Sequence, residues 1–86
     1  MELIPFAEKD LDAFLAMCRD MYDSPAVAHS VGPEVFTATF RACLAGNQNV
    51  EGRMIVKDGC ALGYLLLAHS FSGEIGAPIV MIDELY

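Results

Sequence analysis

Two adjacent carboxylates interrupt the apolar stretch nearest the end of this 86-residue chain. Ile79-Val80-Met81-Ile82 leads into Asp83-Glu84, and Leu85 and Tyr86 follow. Strand alternation puts Met81, Asp83 and Leu85 on one side and Ile82, Glu84 and Tyr86 on the other. If either face is covered, one acid points toward a buried or half-buried space. Desolvation raises the pKa of a carboxyl placed there. That suits it to take a proton near neutral pH. The competing reading is an edge strand or strand end with both acids in water, and spacing alone favours neither.

Other chemistry has less support. The chain has no G-x-S-x-G, H-E-x-x-H, phosphate-binding or dinucleotide-binding motif. His29 and His69 are single and far apart. His29 falls in a segment between two helical patterns, where ligand contacts tend to gather. Cys18, Cys43 and Cys60 are odd in number and lack the short C-x-x-C spacing of a zinc set, so no metal site is expected. Cys18 and Cys43 lie on apolar helix faces, where cysteine acts as a small hydrophobe. This usage points to a reducing compartment.

The formal charge of −7 comes from twelve acids against five bases. It argues against non-specific nucleic-acid binding, for want of a basic patch. A cationic small molecule or a basic surface is the better electrostatic match. The N-terminus lacks the basic region of a signal peptide. No apolar run reaches the ~18 residues of a membrane span. Cytoplasm is the default expectation.

The elements that must position the two acids are legible as patterns. Glu2–Ala7 is a short apolar run that Pro5 confines to an edge or an early end. Leu11, Phe14, Leu15, Cys18 and Tyr22 recur at helical spacing, which predicts a helix from about Glu8 to Tyr22, ended by Ser24-Pro25. Residues 24–32 read as a loop. Gly32-Pro33-Glu34 opens a second helix with Phe36, Phe40, Cys43 and Leu44 on one face, and Gly46 ends it. Residues 53–57 and 60–69 are strands joined by the hairpin signal Asp58-Gly59. The run Leu65–Ala68 predicts burial on both sheet faces. Residues 70–77 form a loop or irregular strand end, and Pro78 opens the last strand. The class is α+β in the order β-α-α-β-β-β, with a mostly antiparallel sheet and two helices.

Taken together, these pieces resemble the N-terminal half of a GNAT-type N-acetyltransferase. The resemblance covers the whole chain. It rests on ELIPFA, the helix beginning EKDLDAF, the second helix at GPEVF, the DG hairpin, LGYLLLAHSFS and above all IVMIDELY. The stretches DMYDSPAVAHSVGPEVF and FSGEIGAPIVMIDELY look like one uncharacterised bacterial branch of that family.

The resemblance implies acetyl transfer from acetyl-CoA to a primary amine, either a small molecule or a peptide. It implies a strand carboxylate as general base, Asp83 first and Glu84 second. Leu85 and Tyr86 would offer main-chain groups to the acetyl-pantetheine arm. Residues 24–32 and the end of the first helix would wall the acceptor site, with Tyr22, His29, Phe71 and Glu74 as candidate contacts. For Tyr22 and Phe71 the competing role is packing; for His29 and Glu74 it is a solvated loop.

The family's R-G-x-G-x-G/A loop, which holds the pyrophosphate at a helix N-terminus, is absent. Residues 1–86 therefore read as one partial domain, the acceptor-side half without its cofactor-binding half, and inactive alone. The implied partner is that missing half. The alternative is a non-catalytic interaction module that dimerises through its exposed last strand.

Overall fold

The sheet is built outward from one tight turn. Asp58 and Gly59 both take positive φ, 53° and 79°, the pairing that a two-residue hairpin of matching twist needs. The turn joins β2 (Val50–Lys57) to β3 (Cys60–Ser72). β1 (Glu2–Pro5) pairs antiparallel with β2, and β4 (Ala77–Leu85) pairs antiparallel with β3. The result is a four-stranded sheet in the order β1-β2-β3-β4. In this computed structural model residues 1–22 and 32–86 are described.

Both helices lie on one face of that sheet. A single 3-10 turn, Glu8–Asp10, leads into α1 (Leu11–Tyr22). The Asp10 side chain accepts the Ala7 amide at 2.9 Å and so caps the turn. α2 (Pro33–Leu44) starts with proline in its first turn and stops before Gly46. The α+β class and the element order are as the sequence pattern implies. The strands are longer than the apolar runs suggested: β2 begins at Val50, and β3 continues through Ser70, Phe71 and Ser72. Pairing with β4 extends β3, since Ser70 and Ser72 face Ile79 and Ala77 across the ladder.

The core is aromatic and lies between the helices and this face. Phe6, Phe14, Phe36, Phe40, Met54, Tyr64, Leu66 and Cys18 are all buried. The Phe6 and Phe40 rings stack with centroids 4.7 Å apart, and the Phe14 ring meets Tyr64 edge-on at 4.8 Å. Such pairs each add roughly 0.5–1.5 kcal/mol beyond the area they bury. Gly52 is required here, because a Cβ at that position would lie 2.1 Å from the Phe6 ring. The expectation that Leu65–Ala68 is buried on both faces is not met. Leu66 is buried, but Leu65 and Leu67 point to the side that neither helix covers and are only half-buried, and Ala68, on the helix side, is half-buried too.

Candidate active site at Glu84

A β-bulge in the last strand determines which carboxylate meets the helices. Along the ladder Ile82 faces Leu67 and Glu84 faces Leu66, so Asp83 is the additional residue. A bulge inserts one residue and reverses the alternation beyond it. Ile82 and Leu85 therefore share the open face, with Leu67 and Leu65. Glu84 takes the helix-covered face, together with buried Leu66 and Tyr64. Strict alternation had set Ile82 beside Glu84 and Asp83 beside Leu85, and the bulge corrects both pairings. Asp83 is exposed, whereas Glu84 is half-buried.

Glu84 is held by two tyrosines. The Tyr64 hydroxyl donates to Oε1 at 2.7 Å and the Tyr22 hydroxyl to Oε2 at 2.8 Å. One donor on each oxygen fixes the plane of the carboxylate. Each oxygen keeps a lone pair for a further partner. The Cys18 thiol lies 3.6 Å from the Tyr64 oxygen and the Met21 sulfur 3.7 Å. The single Tyr64 proton goes to the carboxylate, the shorter and charge-assisted contact, which leaves the Tyr64 oxygen to accept from Cys18.

The electrostatics follow from burial and from this carboxylate. Burial pushes the Tyr22 phenol up to about 12, and the hydrogen bond to Glu84 adds to it. Tyr64 is driven up further, by burial first and by Glu84 second. Burial raises the Cys18 thiol to about 11. At neutral pH both tyrosines are fixed donors and Cys18 is an inert thiol. Any proton acceptor in this cluster is the carboxylate.

The cluster lines a cleft of about 110 Å³ among Phe14, Cys18, Tyr22, Phe36, Leu66 and Glu84. Among the described residues its walls are apolar apart from Thr39 and the Tyr22 hydroxyl, and its one charged group is Glu84. The cleft is well below the roughly 300 Å³ at which drug-sized sites begin. It has room for the head of a small ligand. A wider, open groove of about 470 Å³ runs past Phe6, Cys43, Gln48, Arg53 and His69. Its charged groups are already matched: Glu51 accepts from Arg53 at 2.8 Å and meets His69 at 3.1 Å. The small cleft therefore has the stronger chemical case.

The remaining expected site residues fall in different places. Tyr22 is at the cleft. Phe71 is 64% exposed on the open face opposite Pro78, five residues along β3 from Leu66, and the structure does not bring it to Glu84. Glu74 is exposed in the turn between β3 and β4. His29 and nearly all of the expected loop lie outside the described residues. Leu85 pairs with Leu65. The Tyr86 amide donates to the Tyr64 carbonyl at 3.0 Å, so it is not free for a thioester carbonyl. The Tyr86 ring stacks on Tyr64 at 5.8 Å, and its hydroxyl donates to Asp20. Sequence reasoning missed Tyr64, which reads as one more apolar residue in GYLLLA. Only the cross-strand register shows that it shares a face with Glu84. Among the described residues no group of three or more His, Cys, Asp or Glu is placed to hold a metal ion. No helix there is long and apolar enough to cross a membrane.

Comparison with known proteins shows the architecture and corrects the family. No protein-family model matches the chain, and no curated protein does. The resemblance to the GNAT-type N-acetyltransferases is thus overturned, because the similarity found lies elsewhere. The physical reason is that the segments behind it (a short edge strand, two amphipathic helices and a DG hairpin) recur wherever two helices cover an antiparallel sheet. They specify an architecture and not a lineage. The chain is similar over 98% of its length to a solved structure, integron cassette protein HFX_CASS3 from the mobile metagenome of Cole Harbour Salt Marsh. The TM-score is 0.81 and the identity 17%. The chain covers 54% of that protein, so it spans about half its length. At that identity the likeness shows a shared fold: a small α+β domain with two helices on a four-stranded antiparallel sheet.

Proposed function

We propose that the Glu84 cleft binds a small primary amine, and that Glu84 takes a proton from it to ready the amine for acetyl transfer. The carrying observation is the half-buried Glu84 carboxylate, oriented by Tyr22 and Tyr64 at the wall of an apolar cleft. An alkylammonium places its charge on Glu84 and its carbon chain against Phe14, Phe36 and Leu66. The tyrosines keep their own protons at neutral pH and so do not compete with Glu84 for the ligand's proton. Once neutral, the amine has a free lone pair, which acyl transfer requires. Glu84, rather than the more exposed Asp83, is the base in this reading.

Acetyl-CoA is the acyl donor that this reading implies. Of the main-chain groups expected to meet it, the Tyr86 amide is already engaged by the Tyr64 carbonyl. This chain's part is to bind the amine and remove its proton.

The reading is tested by titrating the chain with ethylamine to butylamine at pH 7, followed by backbone NMR, with the matching alcohols as neutral controls. The amines should shift the signals of Leu66, Phe36 and Glu84; the alcohols should not. Glu84→Gln should abolish the response and Asp83→Asn should keep it. Equal responses to amine and alcohol, or a response that survives Glu84→Gln, overturn the proposal.

A further inference from the structure

Among the described residues nothing covers the sheet face opposite the helices, and that face is mostly apolar. Register places Leu3, Ile55, Leu65, Leu67, Val80 and Ile82 on it. Leu3 and Val80 are each 55% exposed and Ile82 66%. Four strands about 4.8 Å apart, from about 13 Å (β1) to about 43 Å (β3) long, present on the order of 500 Å² in projection. That is a little under two-thirds of the roughly 800 Å² per partner of a standard interface. A patch of that size is at the upper end of the roughly 300–600 Å² that a monomer's largest bare patch reaches, where such patches often serve as contact surfaces.

The charges on this face suit a second copy. Of the four acids in the strands, Glu51 alone takes a register position on it. Glu51 is paired with Arg53 at 2.6 Å and with His69 at 3.1 Å. The face therefore carries no excess negative charge, although the chain as a whole carries −7. Two copies can approach here without the repulsion that the rest of the surface imposes. A two-fold interface joins the same patch to itself, so it needs both signs of charge side by side, as Glu51 and Arg53 provide.

Pairing at the β4 edge is the less suited alternative. The Asp83 bulge breaks the edge ladder, a device that blunts strand addition. We infer that this chain forms a two-fold dimer through its open sheet face, packed sheet against sheet. The inference does not rest on the reading of the Glu84 cleft, which lies on the opposite face.

The test is the mass in solution by analytical ultracentrifugation from 1 to 200 µM. Leu3→Lys and Val80→Lys are compared with the unaltered chain, and circular dichroism checks that both stay folded. Leu3 and Val80 lie on opposite edge strands but on the same face. A face-to-face dimer predicts that each substitution alone weakens dimerisation at least tenfold. A monomer at 200 µM overturns the inference. Loss with Val80→Lys but not Leu3→Lys also overturns it, in favour of β4 edge pairing. An unchanged dimer in both variants places the interface elsewhere.

Discussion

The two faces of this sheet carry similar residues under opposite circumstances. The helix-covered face holds Met54, Tyr64 and Leu66 at 2% exposure or less. The open face holds Leu3, Val80 and Ile82 at 55% or more. Hydropathy does not separate the two sets. They differ because α1 and α2 pack on one side only and over the inner strands β2 and β3; side chains facing the other way have no partner within residues 1–22 and 32–86, and Met81, on the helix side but in edge strand β4, is 55% exposed as well. Burial also differs in what it does to polar groups. On the covered face Glu84 needs two tyrosine donors. On the open face Glu51 sits in an ion pair about one-third exposed. Hydrophobicity and stabilising contribution are thus separate properties, and position relative to the helices sets the second.

The largest expected contrast is a truncation on each face. Phe40 is fully buried among Phe6 and Phe14. Phe40→Ala should cost about 3–5 kcal/mol of unfolding free energy. Val80→Ala, measured by urea denaturation at 1 µM protein, should stay within about 0.5 kcal/mol. Equal losses would erase the distinction between the faces.

Next in size are the tyrosines that hold Glu84. Tyr64→Phe removes a buried donor from a carboxylate and should cost about 1–3 kcal/mol. Tyr22 adds a pH signature. Its folded pKa of about 12 lies above its ordinary value of 10. The unfolded chain therefore loses this proton first as pH rises. The stabilisation is complete below pH 10 and drains away between pH 10 and 12. Tyr22→Phe should lack that component of alkaline destabilisation, which denaturation curves from pH 9 to 12 will show.

The smallest effect belongs to the open face. Arg53 first, and His69 second, hold the Glu51 carboxyl below its ordinary value. Its contribution is present above about pH 4.5 and is lost as acid protonates it. Solvent screens the pair, so Glu51→Gln should cost about 0.5 kcal/mol or less at pH 7. A loss as large as that of Tyr64→Phe would show that the two faces treat charge alike.

Much of the fold is legible in local patterns. Leu11, Phe14 and Cys18 mark α1 by helical spacing, Gly32-Pro33 opens α2, and Asp58-Gly59 marks the hairpin, because each depends on near neighbours in the chain. The site is legible only in part. The acids at 83 and 84 stand out in an apolar strand, and Tyr22 lies on the expected helix. Tyr64 does not stand out, since its role depends on the residue across the ladder. Phe71 and Glu74 belong with IVMIDELY in the resemblance but not with Glu84 in space, because the far end of β3 and the turn after it carry them away. The family resemblance failed for a related reason: short patterns constrain an architecture more tightly than a lineage.

By itself the sequence determined the class, the element order, the tight hairpin and the pair of carboxylates, all of which follow from local backbone preference and hydrophobic period. The tertiary structure alone decided which carboxylate meets the helices. One additional residue in β4, Asp83, reverses the alternation and turns Glu84 toward Tyr22 and Tyr64. A bulge is a property of two strands in register, so no reading of one strand contains it.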